Sequence, residues 1–368
     1  MGRLAMIDGI RGIGALSIAT YHIFRYGPLP EAAETILPEP VRIVIAHGWM
    51  AVQWFFVIAG FGAALATNEQ PIRIAAVRSF ILRRVLRLGP TYWSSIALTA
   101  GLTMIAIYGW NDRTLNDELP TWPQLLAHMA FLQDVLGYDS LTTGIWFVAI
   151  DLQLGIAFVL LLAIAQGTTD WFRRTFRLSA EGALVFWFGP LTLWSLFVSV
   201  RESSTDIWFH HFLCFYMLGV LIGWTIVGRT SALPFWLYVA AMSGQLSWQF
   251  SKEIAVALTA GLTIYGCWRG RRLDRWLTWP VLQYLGRISY SLFLIHYPTS
   301  WLVGRFGYWL TGDQPAAAFG WLMVALAASI GVAHLLYIVV ERPATAWARH
   351  SGRKARSNDS ISPPRTAT

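Results

Sequence analysis

Charge is what this chain has least of. Asp, Glu, Lys and Arg make up 13% of its 368 residues, about half the share usual in soluble domains, and the deficit runs unbroken until the last stretch. That excludes the two or more soluble domains a chain of this length would otherwise suggest. It describes one unit embedded in lipid. Cysteine is nearly absent too: Cys214 and Cys267 each sit inside an apolar run, where they read as small buried apolar residues rather than as a disulfide or a metal site. No metal is expected. No cleavable leader is expected either, because the first apolar segment carries Asp8 and Arg11 and no small-residue cleavage pattern follows it. No internal repeat and no fused soluble domain stand out.

What the chain has in abundance is apolar and aromatic surface. It is 55% hydrophobic with mean hydropathy +0.49, and Trp49, Trp93, Trp110 and Trp146 flank apolar runs as an aromatic belt at the headgroup level does. A span needs about 20 mostly apolar residues. Ten segments qualify: 7–26, 43–67, 92–110, 145–165, 183–200, 209–227, 233–250, 254–268, 281–303 and 318–340. Alternate connections between them hold twenty Lys and Arg on one side and five on the other. The positive-inside rule then places both termini in the cytoplasm. The expected fold is an all-α polytopic membrane protein of about ten transmembrane helices, in a bacterial inner (plasma) membrane.

The transmembrane domain is expected over 1–341, and 342–368 reads as a basic, disordered cytoplasmic tail near anionic lipid. The formal charge of +8 is thus a topological signal, and no nucleic-acid partner is expected. The longest outer connection, 111–144, contains a short apolar stretch, Leu125 to Leu132, suited to the interface.

Ionisable residues inside a bilayer are expensive, so each needs a partner or a function. Arg11 and His22 lie eleven residues apart in the first span, about 1100° of helix rotation, and so share one face about 16.5 Å apart. Glycines at 9, 12 and 14 let another helix approach that face. His22 reads equally as a buried, hydrogen-bonded histidine or as a functional group. Arg11 suits a pairing with Asp8 at i,i+3 as well as a functional role. Asp151 lies about 9 Å inward from the outer end of its span and His22 about 6 Å from its own. Two readings of Asp151 stand: orienting and charging the His22 imidazole, or pairing with a cation such as Arg25. His296 and His47 read as structural hydrogen-bonders, and His210–His211 as interfacial. On the inner connection 68–90, Arg84 and Arg87 are i,i+3 neighbours on a helix, so both guanidinium forks can face one phosphate cluster. Topology alone would also put basic residues there.

Five segments in order resemble the acyltransferase-3 family, membrane enzymes that O-acylate bacterial surface glycans and some small molecules. IDGIRGIGALSIATYH resembles the family's opening, with its Arg-x10-His spacing at Arg11 and His22. WFFVIAGFGAAL resembles its Phe-Phe-x-x-Ser-Gly-Phe segment, with Ala59 for the serine. FILRRVLRLGPTYW contains its Arg-x-x-Arg at Arg84 and Arg87, and LGRISYSLFLIHYP and VERPATAW resemble its C-terminal segments. WFVAIDLQ departs from the family's Trp-Ser-Leu-x-x-Glu-Glu-Gln, with Phe147, Asp151 and Leu152 at the changed positions.

The resemblance implies a ten-helix core, a cytoplasmic acyl-CoA donor (acetyl-CoA first among them) as co-substrate with no bound cofactor, and an acceptor on the outer face. Family membership favours an exopolysaccharide or lipid-linked oligosaccharide acceptor. Acyl transfer to a hydroxyl needs a base and an oxyanion stabiliser. The expected catalytic set is His22, Arg11 and Asp151, with His22 as base, and Arg84 and Arg87 hold acyl-CoA. No Gly-x-Ser-x-Gly elbow is present, which favours direct transfer. The competing reading is a transporter or flippase in which the same Arg, His and Asp form a relay.

Overall fold

The computed structural model of the protein describes residues 4–68, 72 and 74–350, and among these there is no strand. Helix α1 (Ala5–Ile23) is followed by the short α2 (Pro30–Glu34) and α3 (Glu39–Ala46), then α4 (Ala51–Ala66) and α5 (Ile74–Trp110). The short α6 (Trp122–Met129) lies in the longest connection, on the stretch expected at the interface. The rest are α7 (Ile145–Phe176), α8 (Ala180–Phe197), α9 (Phe209–Ile226), α10 (Leu233–Trp248), α11 (Lys252–Arg269), α12 (Pro280–Thr311) and α13 (Pro315–Leu336). Each predicted segment falls on helix, the second on α3 and α4 together. Among the described residues, five stretches are long and apolar enough to cross a membrane: Glu39–Ala66, Ile145–Phe176, Ala180–Arg201, Phe209–Ile226 and Pro315–His350. Arg3, Arg73, Arg353, Lys354, Arg356 and Arg365, counted in the charge asymmetry, and the tail from 351 onward lie outside the described residues.

The largest departure from expectation is at α5. Its helix begins at Ile74, not near 92, so the helical turn expected for Arg84 and Arg87 on the inner connection is continuous with the span that follows. Arginine is a good helix former, and nothing in RRVLR breaks the ladder. Pro90 lies within α5, where it lacks the N–H for the carbonyl four residues back, yet the helix continues through it.

The long helices alternate in direction, and their ends sort into two sets. At one end, the starts of α4, α7, α9 and α11 line a cavity together with the last turn of α1. The 111–144 connection is tied to the same end of α12 by the Arg305–Asp112 ion pair and by Trp301 Nε1 donating to Thr114 Oγ1 at 3.0 Å. At the opposite end Met6 N–H donates to the Leu273 carbonyl. There too Gln283 Nε2 donates to Ala5 O at 2.6 Å, Arg229 to Thr67 O at 2.8 Å and Ser231 Oγ to Glu181 Oε1 at 2.7 Å.

Two close helix crossings set the interior. On α1 and α12, a Cβ at Gly286 would collide with the Asp8 carbonyl and one at Gly12 with the Leu282 carbonyl. The small-residue face of α1 therefore meets α12, as glycines at a helix interface allow, while Gly14 faces Phe55 of α4. On α4 and α9, Gly60 and Gly219 play the same part against the carbonyls of Tyr216 and Val57.

Candidate functional site

The α1–α12 crossing brings together two histidines 274 positions apart. His22 Nδ1 and His296 Nε2 are 2.7 Å from each other, with the ring planes 5° apart. On α12, the other nitrogen of His296, Nδ1, donates to the Leu292 carbonyl oxygen at 3.0 Å. That bond assigns the tautomer: a neutral imidazole that donates from Nδ1 accepts at Nε2. His22 must then donate from its own Nδ1, which leaves its Nε2 with a free lone pair. His296 is fully buried and His22 half-buried. The pair is a two-step orienting chain from a backbone carbonyl to one imidazole nitrogen.

His22 lines the cavity at this end, about 410 Å³ in volume, with Trp49, Gln53, Trp146, His211 and Phe212 among its walls. Gln53, on the first turn of α4, is 4% exposed, and its Oε1 has no hydrogen-bond partner.

Asp151 is not the partner of His22. Its carboxylate accepts from Arg84 at 2.7 Å, and its backbone carbonyl accepts a second bond from the same guanidinium nitrogen at 3.2 Å. The expectation that similar depth would pair Asp151 with His22 fails because α1 meets α12 and α4 rather than α7. Aromatic rings fill the gap: Phe293, one turn before His296, lies 5.3 Å from the Phe147 ring, and Phe55 packs on both at 6.0 Å. Phe147 stands one turn before Asp151. The cation that Asp151 takes is Arg84, and Gly155 on the next turn leaves the space in which that guanidinium lies.

The two arginines of α5 therefore do different things. Arg84 is committed to Asp151, with side chains 17% and 14% exposed. Arg87, one turn further, is exposed and makes no hydrogen bond or ion pair among the described residues. It lies within electrostatic range of Arg11, Arg84 and Asp151. Glu341 feels both Arg11 and Arg87, and its Oε2 accepts from Ser291 Oγ at 2.6 Å and from Ser291 N–H at 3.2 Å. A π-helical turn, Tyr337–Glu341, places it there. Such a wide turn suits a chain about to meet Pro343, which has no N–H to give the carbonyl four residues back. Arg11 is half-buried and belongs to this charged level, about 16.5 Å along α1 from His22.

Sequence reasoning passed over three of these residues. Glu341 sits beyond the last apolar run, Gln53 is a lone amide within one, and His296 reads as structural until its partner is known. Three further histidines are held by nearby groups. His47 Nδ1 bonds Ile43 O at 2.7 Å, and His210 and His211 bond Ser199 and Thr205 at 2.8 and 3.0 Å.

These groups, strung along α1, α5, α7 and α12, lie in the segments that carried the resemblance. Compared with known protein families, residues 4–338 match the acyltransferase domain of the acyltransferase-3 family. The chain belongs to that family. No curated protein and no solved structure matches it. Membership makes this an acyltransferase with membrane-length apolar helices, and its match ends inside the turn that carries Glu341.

Proposed function

We propose that the protein is a multi-pass inner-membrane O-acyltransferase that moves an acyl group, acetyl first among candidates, from cytoplasmic acyl-CoA to a hydroxyl of a glycan or lipid-linked oligosaccharide. The observation that carries this reading is the His22–His296 pair, which leaves an imidazole lone pair on a solute-sized cavity. In this reading all ten long helices cross the bilayer, both termini are cytoplasmic, and the His22 cavity opens on the outer face. The charge asymmetry of the connections supports that orientation.

His22 Nε2 takes the proton of the acceptor hydroxyl as its oxygen attacks the thioester carbonyl carbon. The C–S bond then breaks, the ester forms, and the proton returns from His22 to the CoA thiolate. His296 holds His22 in the tautomer that can accept. Arg87 and Arg11 meet the donor's phosphates, where planar guanidinium groups bind oxygens in pairs. The extended pantetheine arm spans the distance to His22. Arg84 shapes this level through its bond to Asp151. Arg11, expected in the catalytic set, acts here on the donor, because it lies too far from His22 to touch the same carbonyl.

The test is the acyl content of surface polysaccharide from cells with and without the protein, beside transfer of label from [14C]acetyl-CoA by purified protein. Loss of both with the gene supports the reading; unchanged polysaccharide together with no release of CoA removes it.

A further inference from the structure

The cavity beside His22 has no assigned occupant, yet several of its polar groups are uncommitted. Gln53 is almost wholly buried and its Oε1 lacks a partner, in a protein interior where such groups are nearly always bonded. The Trp49 and Trp146 indole N–H groups make no hydrogen bond among the described residues. Among the described residues Trp49 stacks on no other ring, and Trp146 is half-buried with Phe212 at 5.6 Å and the edge of Phe147 at 6.3 Å. Indole offers a flat apolar face beside a donor, which suits a ring whose faces are C–H and whose rim is hydroxyl.

Charge narrows the choice of ring. Two carboxylates, Asp206 and Glu253, and one guanidinium, Arg201, line the same cavity. Arg201 lies over the Trp248 ring at 4.4 Å. Neither carboxylate is ion-paired among the described residues, so the excess is negative and an acidic sugar is disfavoured. The volume lies within the range of small-ligand pockets.

We infer that this cavity is the acceptor subsite and that it takes a neutral pyranose, stacked on Trp49 or Trp146, hydrogen-bonded by the Gln53 amide, with one hydroxyl at His22 Nε2. This rests on the acyltransferase reading for the role of the bound sugar, but binding itself does not require turnover.

The test uses the full chain in lipid nanodiscs free of glycoside detergent. Methyl β-glucopyranoside and methyl β-galactopyranoside are the neutral probes and methyl β-glucuronide the anionic one. Diethyl pyrocarbonate labels an unprotonated imidazole nitrogen, so the rate of His22 labelling, read by peptide mass spectrometry, reports whether the cavity is filled. At ten times its Kd a ligand slows labelling about elevenfold. Such protection is expected from a neutral glycoside, with the glucuronide several-fold weaker and exposed His47 labelled at an unchanged rate. Gln53→Ala and Trp146→Ala should each raise the Kd read from protection by about fivefold to tenfold, the scale of one lost hydrogen bond or ring contact, which lowers the elevenfold protection to about threefold or twofold. The wild-type comparison of glycoside with glucuronide stands even where a variant fails to fold.

Protection by neither neutral probe, stronger protection by the glucuronide, equal protection in both folded variants, or a His22 the reagent cannot reach would overturn the inference. Release of CoA from acetyl-CoA is followed in parallel. CoA release without sugar protection defeats the subsite and leaves the acyltransferase reading. Protection without CoA release keeps the subsite and defeats the reaction.

Discussion

Two levels of this molecule handle polar groups inside apolar surroundings in opposite ways. At the His22 level two imidazoles are bonded in series from the Leu292 carbonyl through His296 to His22, and the last acceptor is left free on a cavity. At the Arg84 level they are charged: three arginines and two carboxylates share a small region, one pair is closed, and Arg87 and Arg11 make no hydrogen bond or ion pair among the described residues. Ionised groups away from water need partners, whereas a neutral imidazole chain needs only one good bond per nitrogen. In the proposed reading the first level moves a proton and the second holds the donor's phosphates.

Substitutions that remove one group from each level test this division. His22→Ala should lower acyl transfer by roughly 100-fold or more, the usual contribution of a general base, while the protein still inserts and elutes as a single species. Asp151→Asn comes next. It leaves a guanidinium in a mostly enclosed site without its counter-charge, between the surface case of at most ~1 kcal/mol and the buried case of about 3–5 kcal/mol. A loss of about 2–3 kcal/mol in unfolding free energy is expected from these limits, read by denaturant titration in detergent. Asp151→Asn that unfolds like wild type would show that the pair is not structural.

His296→Ala should cost about tenfold or more in kcat, part of what a general base supplies, with little change in the KM for acetyl-CoA. His296→Gln, which can still accept a bond, should recover some of that loss. A KM effect for the donor instead would move His296 out of the proton chain. Arg87→Lys keeps the charge but loses the fork. It should weaken acetyl-CoA binding by about fivefold, or ~1 kcal/mol, measured by calorimetry, and Arg84→Lys should act mainly on stability. Equal effects at the two positions would erase the distinction between them. Ser291→Ala, the smallest change, should lower stability by about 1 kcal/mol through loss of one bond to a charged group, read as a shift in the thermal midpoint.

The helices were legible because lipid demands long apolar runs, and all ten runs fall on helix. The start of α5 was legible only in part: Arg84 and Arg87 read as neighbours on a helix, but an arginine-rich turn does not show that it is continuous with the apolar span after it. His22 stood out as an ionisable group within an apolar run, and its spacing from Arg11 put the two on one face. Its partner did not, since pairing His22 with His296 depends on which helix the α1 glycines meet, a fact of packing between segments far apart in the chain. Matching Asp151 to His22 by depth used the one coordinate that hydropathy supplies and lacked the lateral one, in which Phe55, Phe147 and Phe293 intervene. Glu341 was hidden for a local reason: only the π-helical turn before Pro343 carries it back to Ser291.

The central claim, that His22 is the base for acyl transfer to a hydroxyl, is tested most directly by acceptor-dependent CoA release. Wild-type and His22→Ala protein, reconstituted in vesicles with acetyl-CoA, are compared with and without surface polysaccharide from the host, and free thiol is followed against time. The expected result is release by wild type that rises with added polysaccharide, and release by His22→Ala that does not rise above the acceptor-free rate. Equal acceptor-dependent release by the two proteins would contradict it.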